Sequence, residues 1–312
     1  MRNHFIASLG ISVITLMCCF QHTYGQQDPM YTQYLHNKLT INPAYAGSND
    51  LLSVQFLARN QWVGFDGAPK TRTLSVHTPV PGTGLGGGVT YINDQNGPKS
   101  QNSLYFDLSY RLNVSETSSL SMGLKAGFDM ATMGLSALNI VDPTDPGFQQ
   151  DYQDNFLANV GFGFYYLAPK FYVGLSAPHI IRQKIANDGF TTTSFGIEKT
   201  HIYLIAGTLI TVNEVLKIKP SLFMKFVMSA PGSVDLTSHF ILYDRVWLGA
   251  NFRVGESLGM IVQYQVSNQL RLGYSYDFGI SELSGYNSGS HEIAVSYDFR
   301  YQQKRMITPR YF

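Results

Sequence analysis

The sequence predicts an all-β fold, a transmembrane antiparallel β-barrel of about fourteen strands with short periplasmic turns and longer extracellular loops. Three observations predict it. Apolar and polar residues alternate with period two along most of residues 51–299, the alternating segments are even in number, and their connections are short and long in turn.

Composition removes other classes. Charged residues make up 14% of the chain, against roughly 25% in an average soluble domain, while aromatics reach 13%. The chain carries 22 Lys+Arg and 21 Asp+Glu; without Arg2, which falls in the leader, 21 face 21. A zero sum leaves no basic face for nucleic acid. No apolar run approaches the twenty or so residues that a membrane-spanning helix needs.

Residues 1–25 read as a secretory signal peptide: Met1-Arg2-Asn3-His4 is basic, Phe5 to Phe20 is apolar, and Thr23-Tyr24-Gly25 supplies small residues before Gln26. An anchoring helix is an alternative, but sixteen residues scarcely span a bilayer. Lipidation at Cys18 or Cys19 is another, with Met17 and Cys18 as poor preceding residues. Cleavage would remove both cysteines and leave a mature chain without disulfides.

Residues 26–50 form a lead-in of different texture. Gln26 to Tyr34 and Ile41 to Gly47 lack alternation, and their Tyr, Pro and Gln content predicts a defined, non-sheet segment, either periplasmic or tucked into the lumen. An ordinary linker is the simpler alternative.

Strands are predicted near 51–60, 70–79, 83–92, 101–111, 118–130, 154–166 and 171–178, then near 200–212, 217–228, 234–243, 246–254, 257–266, 270–278 and 291–299. In one of them Leu104, Phe106, Leu108 and Tyr110 share a face, with Asp107, Ser109 and Arg111 opposite. Even-numbered strands end in short turns such as Val80-Pro81-Gly82, Ala168-Pro169-Lys170 and Asp244-Arg245. The long connections 131–153, 179–199 and 279–290 follow odd-numbered strands. Outer-membrane barrels share this rim asymmetry. A soluble β-sandwich also alternates, but its outer face would be rich in Lys and Glu; here the polar face is Ser, Thr, Asn, Gln and Gly. A basic tail, 300–312, closes the chain.

The polar face is expected to line the lumen. If Leu242 pairs with Val246, Asp235 falls opposite Arg253; around the 112–117 turn, Asp107 falls opposite Lys125. Eight basic residues, among them Arg59 and Arg72, and six acidic ones are expected to point inward. Such balance favours a charge network filling the lumen over an ion-selective pore.

Chemistry-bearing motifs are weak. Gly82-x-Gly84-x-x-Gly87 runs into Gly88-Val89-Thr90-Tyr91-Ile92, a strand, so no helix terminus is available for a phosphate. The eight His are scattered, which argues against zinc. A rim Ser-His-Asp arrangement near 176–188 or 284–292, or calcium at Asp142, Asp145, Asp151 and Asp154, is less economical than ordinary loop residues. No catalytic residue, cofactor or metal is assigned.

Several motifs resemble the PorP/SprF family. They are Gln27-Asp28-Pro29 through Tyr34, Asn42-Pro43-Ala44-Tyr45-Ala46-Gly47 and Arg59-Asn60-Gln61-Trp62-Val63-Gly64-Phe65-Asp66-Gly67-Ala68-Pro69-Lys70-Thr71. Further along, Gly123 to Phe128, Tyr172 to Ser176, Leu248 to Arg253, Ser288 to Ile293 and Ser296 to Phe299 continue the likeness. The tail beyond Phe299 departs from it and leaves open which phenylalanine serves as the insertion signal. The resemblance implies a non-enzymatic outer-membrane barrel of the type IX secretion system of Bacteroidetes. Members such as SprF accompany large surface proteins, including gliding adhesins, during export and attachment. Implied partners are a cargo with a type IX C-terminal domain at the outer rim, other secretion components at the periplasmic rim, and outer-membrane lipid. Candidate contacts are Asp28, Asn42 and Tyr45 in the lead-in, and Phe148, Tyr152 and Phe190 as aromatic anchors in the long loops. The alternative function is a diffusion porin or transporter, in which the lumen does the work.

Overall fold

The computed structural model describes residues 29–299 apart from 137, 139–150, 182–183, 186–195, 198–199 and 228–229. The main strands of its barrel are Leu52–Asn60 (β1), Lys70–Pro79 (β2), Leu85–Asn96 (β3), Lys99–Asn113 (β4), Ser119–Met133 (β5), Tyr152–Leu167 (β6) and Phe171–Ala177 (β7). The second half comprises His201–Thr208 (β8), Leu216–Val227 (β9), Ala230–Leu242 (β10), Val246–Arg253 (β11), Ser257–Gln265 (β12), Leu270–Gly279 (β13) and Ser290–Phe299 (β14).

Each strand pairs antiparallel with its neighbours in sequence, and β1 pairs with β14 from Leu52↔Phe299 to Asn60↔His291, so the sheet closes on itself. Closure removes every sheet edge, which hydrocarbon requires because no water is present there to satisfy an open one. The fourteen-stranded barrel expected from the sequence is the fold observed.

Polarity is inverted relative to a soluble protein. Along β4, Ser103, Tyr105, Asp107 and Ser109 are buried while Phe106, Leu108 and Tyr110 are exposed. The same inversion holds on β12, where Gln263 is buried and Leu258, Met260, Val262 and Tyr264 face out. The apolar face is therefore the outer one, as a lipid-facing wall needs.

Short turns 80–84, 114–118, 168–170, 212–215, 243–245 and 266–269 lie on one rim. The opposite rim carries 134–151, 178–200 and 280–289, but also a two-residue turn at Gly97-Pro98. There the strands run longer than alternation alone predicts: Asn93 pairs with Asn102, the Asn93 amide donating to the Asn102 side-chain oxygen at 2.9 Å. Polar side chains that pair with one another extend a ladder without an apolar period to announce it.

The predicted registers are observed. Leu242 pairs with Val246 and Asp235 with Arg253; Asp107 pairs with Lys125. Arg72 is the exception among the charges expected inside. It pairs with Ala58 on the outer face, because the inward set of β2 is Thr71, Thr73, Ser75 and His77. Placed two residues from the strand end, its long side chain can reach the polar boundary of a membrane.

Candidate functional site

The lumen is occupied. Residues 29–50 thread it from the long-loop end to the short-turn end, and nearly all of Met30 to Ser48 is buried against the inner wall. Two 3-10 turns, Lys38–Thr40 and Pro43–Tyr45, shape the segment. The second is capped locally: the Asn42 side-chain oxygen accepts from the Ala44 N–H at 2.9 Å, and Pro43 supplies a preset φ at the first position.

At the long-loop end the plug is held by charge. Glu292 accepts the backbone N–H groups of Thr32 and Gln33 at 3.0 and 2.7 Å. Arg59 bridges Asp277 at 2.7 Å and Glu292 at 3.3 Å, and donates to the Thr32 hydroxyl at 2.9 Å. Arg253 grips Asp235 and also donates to the Tyr31 carbonyl at 2.9 Å. Every ion here is buried and paired, which is the condition under which burial is tolerable.

In the middle, packing takes over. Tyr31, Tyr34, Ile41, Ala44 and Tyr45 form a core with Leu57, Tyr165, Tyr172, Tyr203, Ile205 and Phe223 of the wall. Tyr34 stacks on Phe223 at 4.5 Å and Tyr45 meets Tyr165 edge-on at 5.4 Å, both favoured aromatic geometries. Inward glycines make room for the plug backbone. A Cβ on Gly123 would run into Ala44 and Pro43, and one on Gly163 into the Asn42 side chain. At the short-turn end, Ser109 donates to the Ala46 carbonyl at 2.6 Å, and Arg111 holds Asp50 at 2.6 Å and the Gly47 carbonyl at 2.7 Å.

The residues expected to meet partners are placed unevenly. Asn42 and Tyr45 are 1% and 4% exposed, and their contacts are internal. Asn42 ties the plug to the Phe164 carbonyl at 2.9 Å, while the Tyr45 hydroxyl donates to Asn49 at 2.8 Å. Asp28, Phe148 and Phe190 lie outside the described residues, and Tyr152 begins β6. Of the six, Asn42, Tyr45 and Tyr152 fall among the described residues. The plug's wall contacts, Arg59, Asp277, Glu292, Arg253 and Gly123 among them, were legible only as lumen-facing positions.

No cluster of metal-ligating side chains occurs among the described residues. Asp142 and Asp145 fall outside them, and Asp151 accepts from the Ser136 N–H and hydroxyl at 3.0 and 2.7 Å. Gly82 and Gly84 adopt positive φ in a turn that continues into β3.

The family model described as type IX secretion system membrane protein PorP/SprF matches residues 23–297. The chain belongs to the PorP/SprF family. No curated protein matches the sequence. Among solved structures, the Ralstonia pickettii toluene transporter TbuX is similar in fold, at 9% identity and TM-score 0.50 over 84% of this chain and 93% of that one. The CymD monoaromatic hydrocarbon channel aligns over 90% of this chain and 96% of its own, at 12% identity and TM-score 0.48. The KdgM porin in complex with disordered oligogalacturonate covers 80% and 99%, at 10% identity and TM-score 0.40. These likenesses concern the barrel alone. Family and closed barrel together place this PorP/SprF protein in the outer membrane.

Proposed function

We propose that this PorP/SprF protein is an accessory barrel of type IX secretion, assisting export and cell-surface attachment of a partner cargo such as a gliding-motility adhesin. It works through its rims and without catalytic chemistry of its own. The observation that carries this reading is the plug. A lumen crossed by residues 29–50 and tied to the wall by Arg59, Arg253 and Glu292 is largely filled by the chain itself, which favours a binding role over the porin alternative.

In this reading residues 1–25 are a signal peptide removed on export, the short-turn rim faces the periplasm and other secretion components, and the long loops face outward toward the cargo's C-terminal domain. Phe148, Tyr152 and Phe190 supply outer-rim anchors, and Asp28 belongs to the same contact set. Asn42 and Tyr45 contribute indirectly, by fixing the plug that shapes the periplasmic mouth.

Deleting the gene should remove a specific set of exported proteins from the cell surface, and replacing 136–150 and 182–199 with Gly-Ser turns should do the same while the barrel still inserts. Unchanged surface display in both strains, together with solute-permeable conductance of the purified protein in a planar bilayer, would favour the porin.

A further inference from the structure

Every strand pairing in the barrel but one joins neighbours in sequence. The exception is the seam, β1 with β14, where Arg59 faces Glu292 across 233 positions of chain. Bringing such distant segments together costs the most chain entropy, and no turn fixes which residue meets which. A slip of one residue would turn the polar face of β1 toward lipid.

The plug is laced to this seam near both ends. At the long-loop end Glu292 of β14 accepts from the Thr32 and Gln33 N–H groups, and Arg59 of β1 donates to the Thr32 hydroxyl, which in turn donates to Asp277 of β13. At the short-turn end Ser53 and Asp298 are partners in the seam register, and the Ser53 hydroxyl donates to Asp298 at 2.7 Å. The Asn49 side-chain amide donates to that same hydroxyl at 3.1 Å, while its oxygen accepts from the Tyr45 hydroxyl. The second register pair from each end of the seam therefore carries a plug residue.

The order of assembly follows from the fit. A Cβ on Gly86, Gly123 or Gly163 would collide with the plug at Ala46, Ala44 or Asn42. Drawing the buried rings of Tyr31, Tyr34 and Tyr45 lengthwise past such points would part a closed wall, whereas a sheet still open receives them on its inner face. We infer that residues 29–50 are a closing template. They pack on the open sheet, and Thr32, Gln33 and Asn49 then hold β1 and β14 in register while the seam forms. This role lies in assembly of the barrel and is separate from the handling of cargo.

Refolding of the full-length chain tests it, with Cys18→Ser and Cys19→Ser in every variant so that no native thiol interferes. Urea-unfolded protein is diluted into detergent micelles, and the heat-modifiable band is followed with time. Thr32→Val with Asn49→Ala cuts plug links and leaves every wall residue in place. It should slow refolding at least fivefold and change the unfolding rate less than twofold, the signature of contacts already made in the transition state. Asn49→Ala alone, the milder lesion, should slow refolding at least twofold. Phe56→Cys with Val295→Cys places two thiols on the lipid-facing side of the seam, directly opposite in register. Oxidised in the unfolded chain, this disulfide supplies the register that the plug otherwise sets, and should bring the double plug variant to within twofold of its disulfide-bearing parent. Refolding at the parental rate with faster unfolding would show that the barrel closes without the plug. Slowed refolding that the seam disulfide does not restore would place the defect elsewhere, and either result overturns the inference.

Discussion

Asp235→Ala should be the most costly single change in the lumen wall. Arg253 donates to Asp235 through Nε at 2.9 and 3.1 Å and through Nη2 at 2.8 Å, and the two side chains are 1% and 0% exposed. Removing the carboxylate strands a buried guanidinium, and truncating one side of such a pair costs roughly 3–5 kcal/mol. Two contacts soften the loss: Nη2 keeps the Tyr31 carbonyl at 2.9 Å, and Nη1 keeps Glu256 at 3.4 Å, 29% exposed. The expected cost is therefore near the lower limit, about 3 kcal/mol. Ser238→Ala, on the outward face of the same strand, should stay within about 0.5 kcal/mol. Urea unfolding in detergent micelles, followed by the heat-modifiable shift on a gel, separates the two. A double variant, Asp235→Leu with Arg253→Met, should recover most of the loss, since replacing both ions by apolar side chains is often neutral. Equal losses in Asp235→Ala and Ser238→Ala, or no recovery in the double variant, would refute the view that this pair is dry and mutually dependent.

Gly123→Val should expel the Pro43–Tyr45 turn but spare the barrel, so ion conductance should appear in planar bilayers while heat-modifiability persists; a silent variant would argue that the plug tolerates the shift. Cysteine placed at 140 should react with an impermeant maleimide on intact cells while cysteine at Asp244 should not, and the reverse pattern would invert the barrel.

Sequence alone determined what is local. Period-two alternation told which face of each strand is apolar, and turn length then set register, so Asp235 opposite Arg253 followed from counting outward from 243–245, while Asp107 opposite Lys125, expected around 112–117, is centred on the observed turn 114–118. Strand parity and rim asymmetry were legible for the same reason. Arg72 marks where that reading weakens, since its strand dilutes the alternation and only the pairing with Ala58 reveals its face. What crosses the barrel was decided by tertiary structure. Arg59 meets Asp277 and Glu292, and Asn42 meets Gly163, across more than a hundred residues of chain with no turn to fix the register between them. The plug itself has no period, because a segment surrounded by wall on every side has no solvent or lipid face to alternate against. Its signal was present as inward glycines, Gly123 and Gly163 among them, but a missing side chain does not name what fills its space. Closure of the sheet brought Asn42 and Tyr45 inside.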